Sequence, residues 1–145
     1  MLPPKHAAIS TAVGAIGWWI TGDIWALIAA IGAGVLPDLD HIADYAYYRW
    51  RGVHRLILPL HGYEYAAAGA IAALTTGSQI LGVATVSYLI HLLADQLENR
   101  THIWGYSLFL RARHQFRIEA ISTMPEAAIR GREEDLQLLK RLFRR

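Results

Sequence analysis

The stretch GVLPDLDHIADY, residues 34–45, decides how this chain is read. Residues 24–37 carry no charge, and then Asp38, Asp40, His41 and Asp44 arrive within seven positions. Pro37 favours a helix stop just before the cluster, because the residue preceding a proline is pushed out of the helical region. An apolar helix therefore ends in carboxylates and an imidazole. Asp38 and Asp40 lie past the stop, on backbone free to turn both inward. Asp44, one helical turn beyond Asp40, is left to solvent.

Working outward, four apolar segments emerge, at about residues 4–20, 24–36, 60–75 and 80–97. Thr21–Asp23 forms a tight turn, with Asp23 a good N-cap for the second segment. TTGSQ, residues 75–79, forms the next turn. The apolar residues run nearly all round each segment, as in buried or lipid-facing helices. Gly14, Gly17, Gly32, Gly34, Gly69 and Ala66–Ala68 allow close helix contact, as in membrane bundles. The expected fold is an all-α, up-down four-helix transmembrane bundle.

Composition agrees. The 145 residues are 54% hydrophobic and 18% charged, with mean hydropathy +0.23. That charged share is below the usual quarter. Helices of this length cover roughly 21–28 Å, short of the ~30 Å hydrocarbon core. The charge distribution argues for spanning. In an antiparallel arrangement all 14 lysines and arginines fall on one side: Lys5, Arg49, Arg51, Arg55 and ten from Arg100 onward. The opposite turns hold only Asp23, which is the positive-inside pattern. Trp18, Trp19, Trp25 and Tyr88 are placed near the far interface. No cleavable signal peptide is expected at the N-terminus. The expected location is a cell inner membrane, multi-pass, with both termini cytoplasmic and the bilayer as partner.

Beyond the fourth helix the pattern changes. LRARHQFRIEAI, residues 110–121, alternates apolar and polar residues, which predicts a strand or extended arm pairing as a short β-hairpin. Residues 122–145 predict an amphipathic helix with Pro125 in its first turn. Leu136, Leu139, Leu142 and Phe143 make its apolar face, and basic residues the other. The chain thus divides into 1–121, a metal-site bundle with its arm, and 122–145, the terminal helix.

The titratable residues share one end of such a bundle. His6 opens the first helix; Asp38, Asp40 and His41 close the second; His61 and Glu64 open the third; His91 and Asp95 close the fourth. HLLAD sets His91 and Asp95 at i,i+4, about 6 Å apart on one face. HGYE sets His61 and Glu64 at i,i+3. Ionisable groups at the end of apolar helices are costly and default to functional readings. With no cysteine in the chain, thiolate sites and disulfides are excluded. His and Asp donors suit Zn²⁺ first, with Mn²⁺ or another divalent ion as alternatives, and one or two ions. Two ions bridged by a carboxylate suit phosphoester hydrolysis. Arg55, Arg111, Arg113 and Arg117 are available to grip phosphate. His54 lies in a basic loop; His102 is within reach of the site's mouth, and His114 belongs to the arm.

These motifs carry a resemblance. The histidine opening an apolar helix, LPDLDH, the HR segment and HLLAD resemble the YdjM-like family of small prokaryotic inner-membrane proteins, described as membrane-bound metal-dependent hydrolases. The resemblance covers roughly residues 5–118, and the family is in turn similar to the all-helical zinc-dependent phospholipase C group. It implies His6, one of Asp38 and Asp40, His54 or His61, His91 and Asp95 as metal ligands. The family's compact HRGxTHS is stretched here to HRLILPLHGYE, so both histidines stay open and Glu64 becomes a substitute ligand or acid/base. The function implied is metal-dependent hydrolysis of a phospholipid or other phosphoester. Asp38, Asp40 or Glu64 would serve as base, and an arginine, Arg55, would stabilise the leaving charge. The alternatives are a non-catalytic metal-binding membrane scaffold and, last, a soluble bundle with a nucleic-acid-binding arm; no nucleic acid is expected.

Overall fold

The computed structural model describes residues 3–142, which are helical apart from turns and connecting segments. The helices are α1 (Pro3–Thr21), α2 (Ile24–Val35), α3 (Asp40–Arg51), α4 (Tyr63–Thr76), α5 (Gln79–Asn99), α6 (Leu108–Arg113), α7 (Ile118–Ile121) and α8 (Pro125–Leu142). Asp23 caps α2 by accepting from Trp25 N at 2.9 Å, and Ser78 caps α5 through Leu81 N. Gly77 ends α4 with φ +67°, a left-handed conformation that a side chain would strain.

Helices α2 and α5 form the centre: α2 packs on α1 and α5, and α5 also packs on α1 and α4. Small residues make this possible. A Cβ at Gly14 would lie 2.9 Å from the Leu27 backbone, and one at Gly34 would collide with the Ser10 hydroxyl. Ala26 and Ala30 are fully buried on α2. The outer surface stays apolar: Trp19 and Leu74 are each 84% exposed. Two helical stretches are long and apolar enough to cross a membrane, residues Ile24–Arg51 and Gln79–Asn99.

Four expectations change. Pro37 does not end the second helix for good. Residues Leu36–Leu39 tighten into one 3₁₀ turn, and the chain continues directly as α3. A proline lacks only an N–H that a first turn leaves unpaired. Asp40, His41 and Asp44 therefore stand on the first turns of a new helix.

Second, residues 110–120 form no strand. They form α6, a turn and α7, and the described residues hold only the isolated bridges Arg55↔Arg117 and Thr101↔Ser122. Period two misleads here because the polar member Arg111 is fully buried. Gln115 and Phe116, at φ +54° and +58°, also turn the chain sharply.

Third, Asp44 is buried rather than solvated. Its carboxylate accepts from Ile57 N at 2.7 Å and pairs with Arg132 of α8. The arginine supplies the countercharge that a local reading could not see. Fourth, Tyr88 points away from the far turns: its hydroxyl donates to Leu60 O at 2.6 Å and accepts from Gly62 N. Pro125 does open α8. The apolar face assigned to Leu136, Leu139, Leu142 and Phe143 lies outside the described side chains.

Candidate metal centre

The start of α1, the start of α3, the segment before α4 and the last turns of α5 converge on one buried cluster. His6, His61, His91 and Asp95 are all at most 2% exposed. Two sets of side chains each bring ligand atoms within 4.8 Å of one another: His6, Asp38, His91 and Asp95, and Asp38, His41, His61 and Asp95. Asp38 and Asp95 belong to both.

The imidazoles are oriented from behind. His61 Nδ1 donates to the Asp40 carboxylate at 3.1 Å, and His91 Nδ1 donates to Gly34 O at 2.9 Å. Each therefore turns Nε2 inward, an acceptor in the neutral imidazole, which is the arrangement that a hydrogen-bond partner behind the ring imposes on metal-binding histidines. The two Nε2 atoms face each other at 3.0 Å. With both Nδ1 protons committed outward, two lone pairs meet unless a proton or a cation lies between them. His6 Nε2 lies 3.0 Å from Asp95 Oδ1, and Asp95 Oδ2 lies 3.3 Å from His61 Nε2. Neither Asp38 oxygen has a hydrogen-bond partner among the described residues, although both are buried. Leaving a buried carboxylate uncompensated is expensive. The nearest imidazole nitrogens, on His41 and His91, lie 3.8 Å away. This His/Asp cluster can bind a metal ion, and its sulfur-free donors fit a borderline divalent cation.

The segment carrying His61 has no helix of its own and is held by side chains. Asp40 Oδ2 accepts from Leu60 N at 2.8 Å. The fully buried Arg111 donates to Leu58 O at 3.0 Å and to His61 O. Phe116 O accepts from Leu56 N at 2.7 Å. Helices α6 and α7 thus act as a buttress behind His61. Burial pushes the His61 imidazole towards neutrality, but its hydrogen bonds with Asp40 and Asp95 outweigh this, so its pKa is raised. Burial pushes the Arg111 guanidinium down from its usual value.

The other residues singled out from sequence lie elsewhere. His54 lies against Tyr48, with the rings tilted and their centroids 4.9 Å apart, and faces Glu133 at 3.8 Å. Arg55 lends its carbonyl to Arg132 and its backbone to the bridge with Arg117. Glu64 accepts from Ser107 Oγ at 2.7 Å and from Leu108 N and Phe109 N, capping α6. His102 and His114 stack on Trp104. Asp40 supports the cluster from behind through His61. His41, in contrast, joins the second ligand set. Its i,i+3 spacing from Asp38 was the available signal, obscured by the expected helix stop at Pro37. No family model, curated protein or solved structure matches the chain.

Proposed function

We propose that this chain is a multi-pass membrane protein with a zinc-dependent phosphoesterase centre on its basic, cytoplasmic side. The observation that carries the reading is the pair of four-residue ligand sets sharing Asp38 and Asp95. Two shared carboxylates suit two ions held close together, the arrangement that clamps a phosphoester. When bound, such ions supply an acidified water and a Lewis acid for a phosphoryl oxygen. The chain's own residues do the rest. Asp40 and Gly34 O fix the His61 and His91 tautomers, and the apolar helices keep the centre dry. His41, at 32% side-chain exposure and next to Asp38 in the second ligand set, marks the face a substrate can approach. A catalytic site keeps such a face open, whereas a structural zinc site closes it.

Several features support the membrane reading. Two stretches have spanning length, apolar side chains cover the outside of the bundle, and the turns joining α1 to α2 and α4 to α5, at the end away from the cluster, carry no lysine or arginine. Extending this to four spans with both termini cytoplasmic, in an inner membrane, is part of the proposal. So is the similarity to the YdjM-like hydrolases, which rests on LPDLDH and HLLAD.

The test is metal analysis of detergent-purified protein, paired with turnover of a phosphodiester and of a phospholipid. Bound zinc, metal-dependent turnover and loss of both in His91→Ala are the expected results. Protein without zinc, or with zinc that His91→Ala does not remove, overturns the site. The near-complete burial of four ligands favours a second reading, a metal ion that only ties the helices together. In that case EDTA lowers Tm while no phosphoester turns over.

A further inference from the structure

A pocket of about 320 Å³ lies beside the metal cluster, between α3, the segment before α4, α7 and α8. His41 lines it and also belongs to the second ligand set, so the pocket meets the candidate metal centre through that side chain. The walls are mainly apolar, built from Leu56, Leu58, Ile118 and Ile121 together with Ala127 and Ala128 of α8. The charged pair on the wall, Asp44 and Arg132, is engaged with itself, leaving neither group available to balance a buried charge on a ligand. A charged ligand body would therefore be desolvated without compensation, and the ionic end of any occupant belongs at His41. Thr101 Oγ1, buried and without a hydrogen-bond partner among the described residues, can meet one oxygen of the occupant. The volume is at the small end of the ~300–1,000 Å³ range of ligand pockets, too small for the two chains of a bilayer lipid.

We propose that this pocket binds the single short apolar chain of a phosphate-bearing amphiphile, placing its phosphate at the Asp38–His41 face. The inference rests on the phosphoesterase reading and narrows its substrate class. The small side chains of α8 create the room: Ala127 and Ala128 face the pocket, and a Cβ added at Gly131 would meet nothing within 4 Å.

Alkylphosphonates test this, because their carbon–phosphorus bond is not hydrolysed by phosphoester chemistry. Methyl-, propyl-, butyl- and hexylphosphonate are titrated calorimetrically into zinc-loaded, full-length protein in detergent. Each added methylene should tighten binding about fourfold until the pocket is full, then no further. Ala128→Phe and Ala127→Leu should bring the plateau to shorter chains at unchanged zinc content and helicity. The variants share the wild type's detergent, so partition into micelles cancels in the comparison. A flat series on zinc-loaded protein overturns the pocket while leaving the metal centre standing. A series that climbs equally in the wild type and both variants reports micelle partition and also overturns it. A chain that holds no zinc overturns the phosphoesterase reading, and with it the phosphate end of this proposal.

Discussion

The two ends of the bundle are built from the same helices and obey opposite rules. At the far end, the turns after α1 and α4 are closed by Gly22, Asp23, Gly77 and Ser78. Trp19 and Trp25 stand exposed beside the first of these turns. Among the described residues, no ionisable side chain is buried there. At the other end, three histidines and three aspartates are at most 4% exposed, and Asp38 adjoins them at 11% side-chain exposure. A short extra helix pair braces them from outside. The difference separates what folds the chain from what the chain is for. Caps and apolar packing are enough to close a helical hairpin. Burying carboxylates and imidazoles costs stability unless something compensates them, so their concentration at one end points to a ligand.

The comparison can be broken most sharply at Asp95. Asp95→Ala removes a carboxylate shared by both ligand sets and strips His6 of its 3.0 Å partner. Zinc content should fall to background and unfolding free energy by about 3–5 kcal/mol, as when one member of a buried ion pair is removed. Metal analysis and denaturant titration check this; full zinc retention would break the account. Removal of zinc by chelation comes next. It should lower stability by about 3 kcal/mol at a free zinc level a hundredfold above Kd, read as a drop in Tm that zinc, and not magnesium, restores.

The same end should show two opposing pH trends. His61 has a raised pKa when zinc is absent, so its contribution to stability is full below the unfolded value near 6.5 and is lost as pH rises through the folded value. Zinc requires the neutral imidazole, so its affinity should instead rise over that window. Thermal scans with and without zinc, from mildly acidic to mildly alkaline pH, should therefore diverge as pH increases. Parallel curves would contradict the assignment of His61.

The far end supplies the small effects. Asp23→Ala should cost about 1 kcal/mol through loss of the α2 cap and leave zinc content untouched. Trp19→Ala should change fold stability by less than about 0.5 kcal/mol, while weakening retention in bilayers, measured by vesicle flotation. A loss of zinc in either variant would erase the distinction between the ends.

Much of this was legible in the residues. Apolar segments bounded by TGD and TTGSQ gave the helical hairpins, because turn and cap chemistry is local. The gathering of His6, Asp38, His61, His91 and Asp95 followed from helix direction alone. What stayed hidden depended on partners far away in the chain. Asp44 looked solvated because Arg132, which neutralises it, lies 88 positions later. Arg111 looked like the outer face of a strand because the carbonyls that bury it belong to residues 58 and 61. Glu64 looked like a ligand because its spacing from His61 is right, yet the N-terminus of α6 captures it. Pro37 looked like a terminator because local rules do not say whether a helix resumes, and that obscured His41.

The most direct measurement is anomalous diffraction at the zinc edge from crystals of the zinc-loaded protein. The expected result is anomalous density bounded by His6, Asp38, His91 and Asp95, and by Asp38, His41, His61 and Asp95. Zinc-loaded crystals with no anomalous peak among these side chains would contradict it.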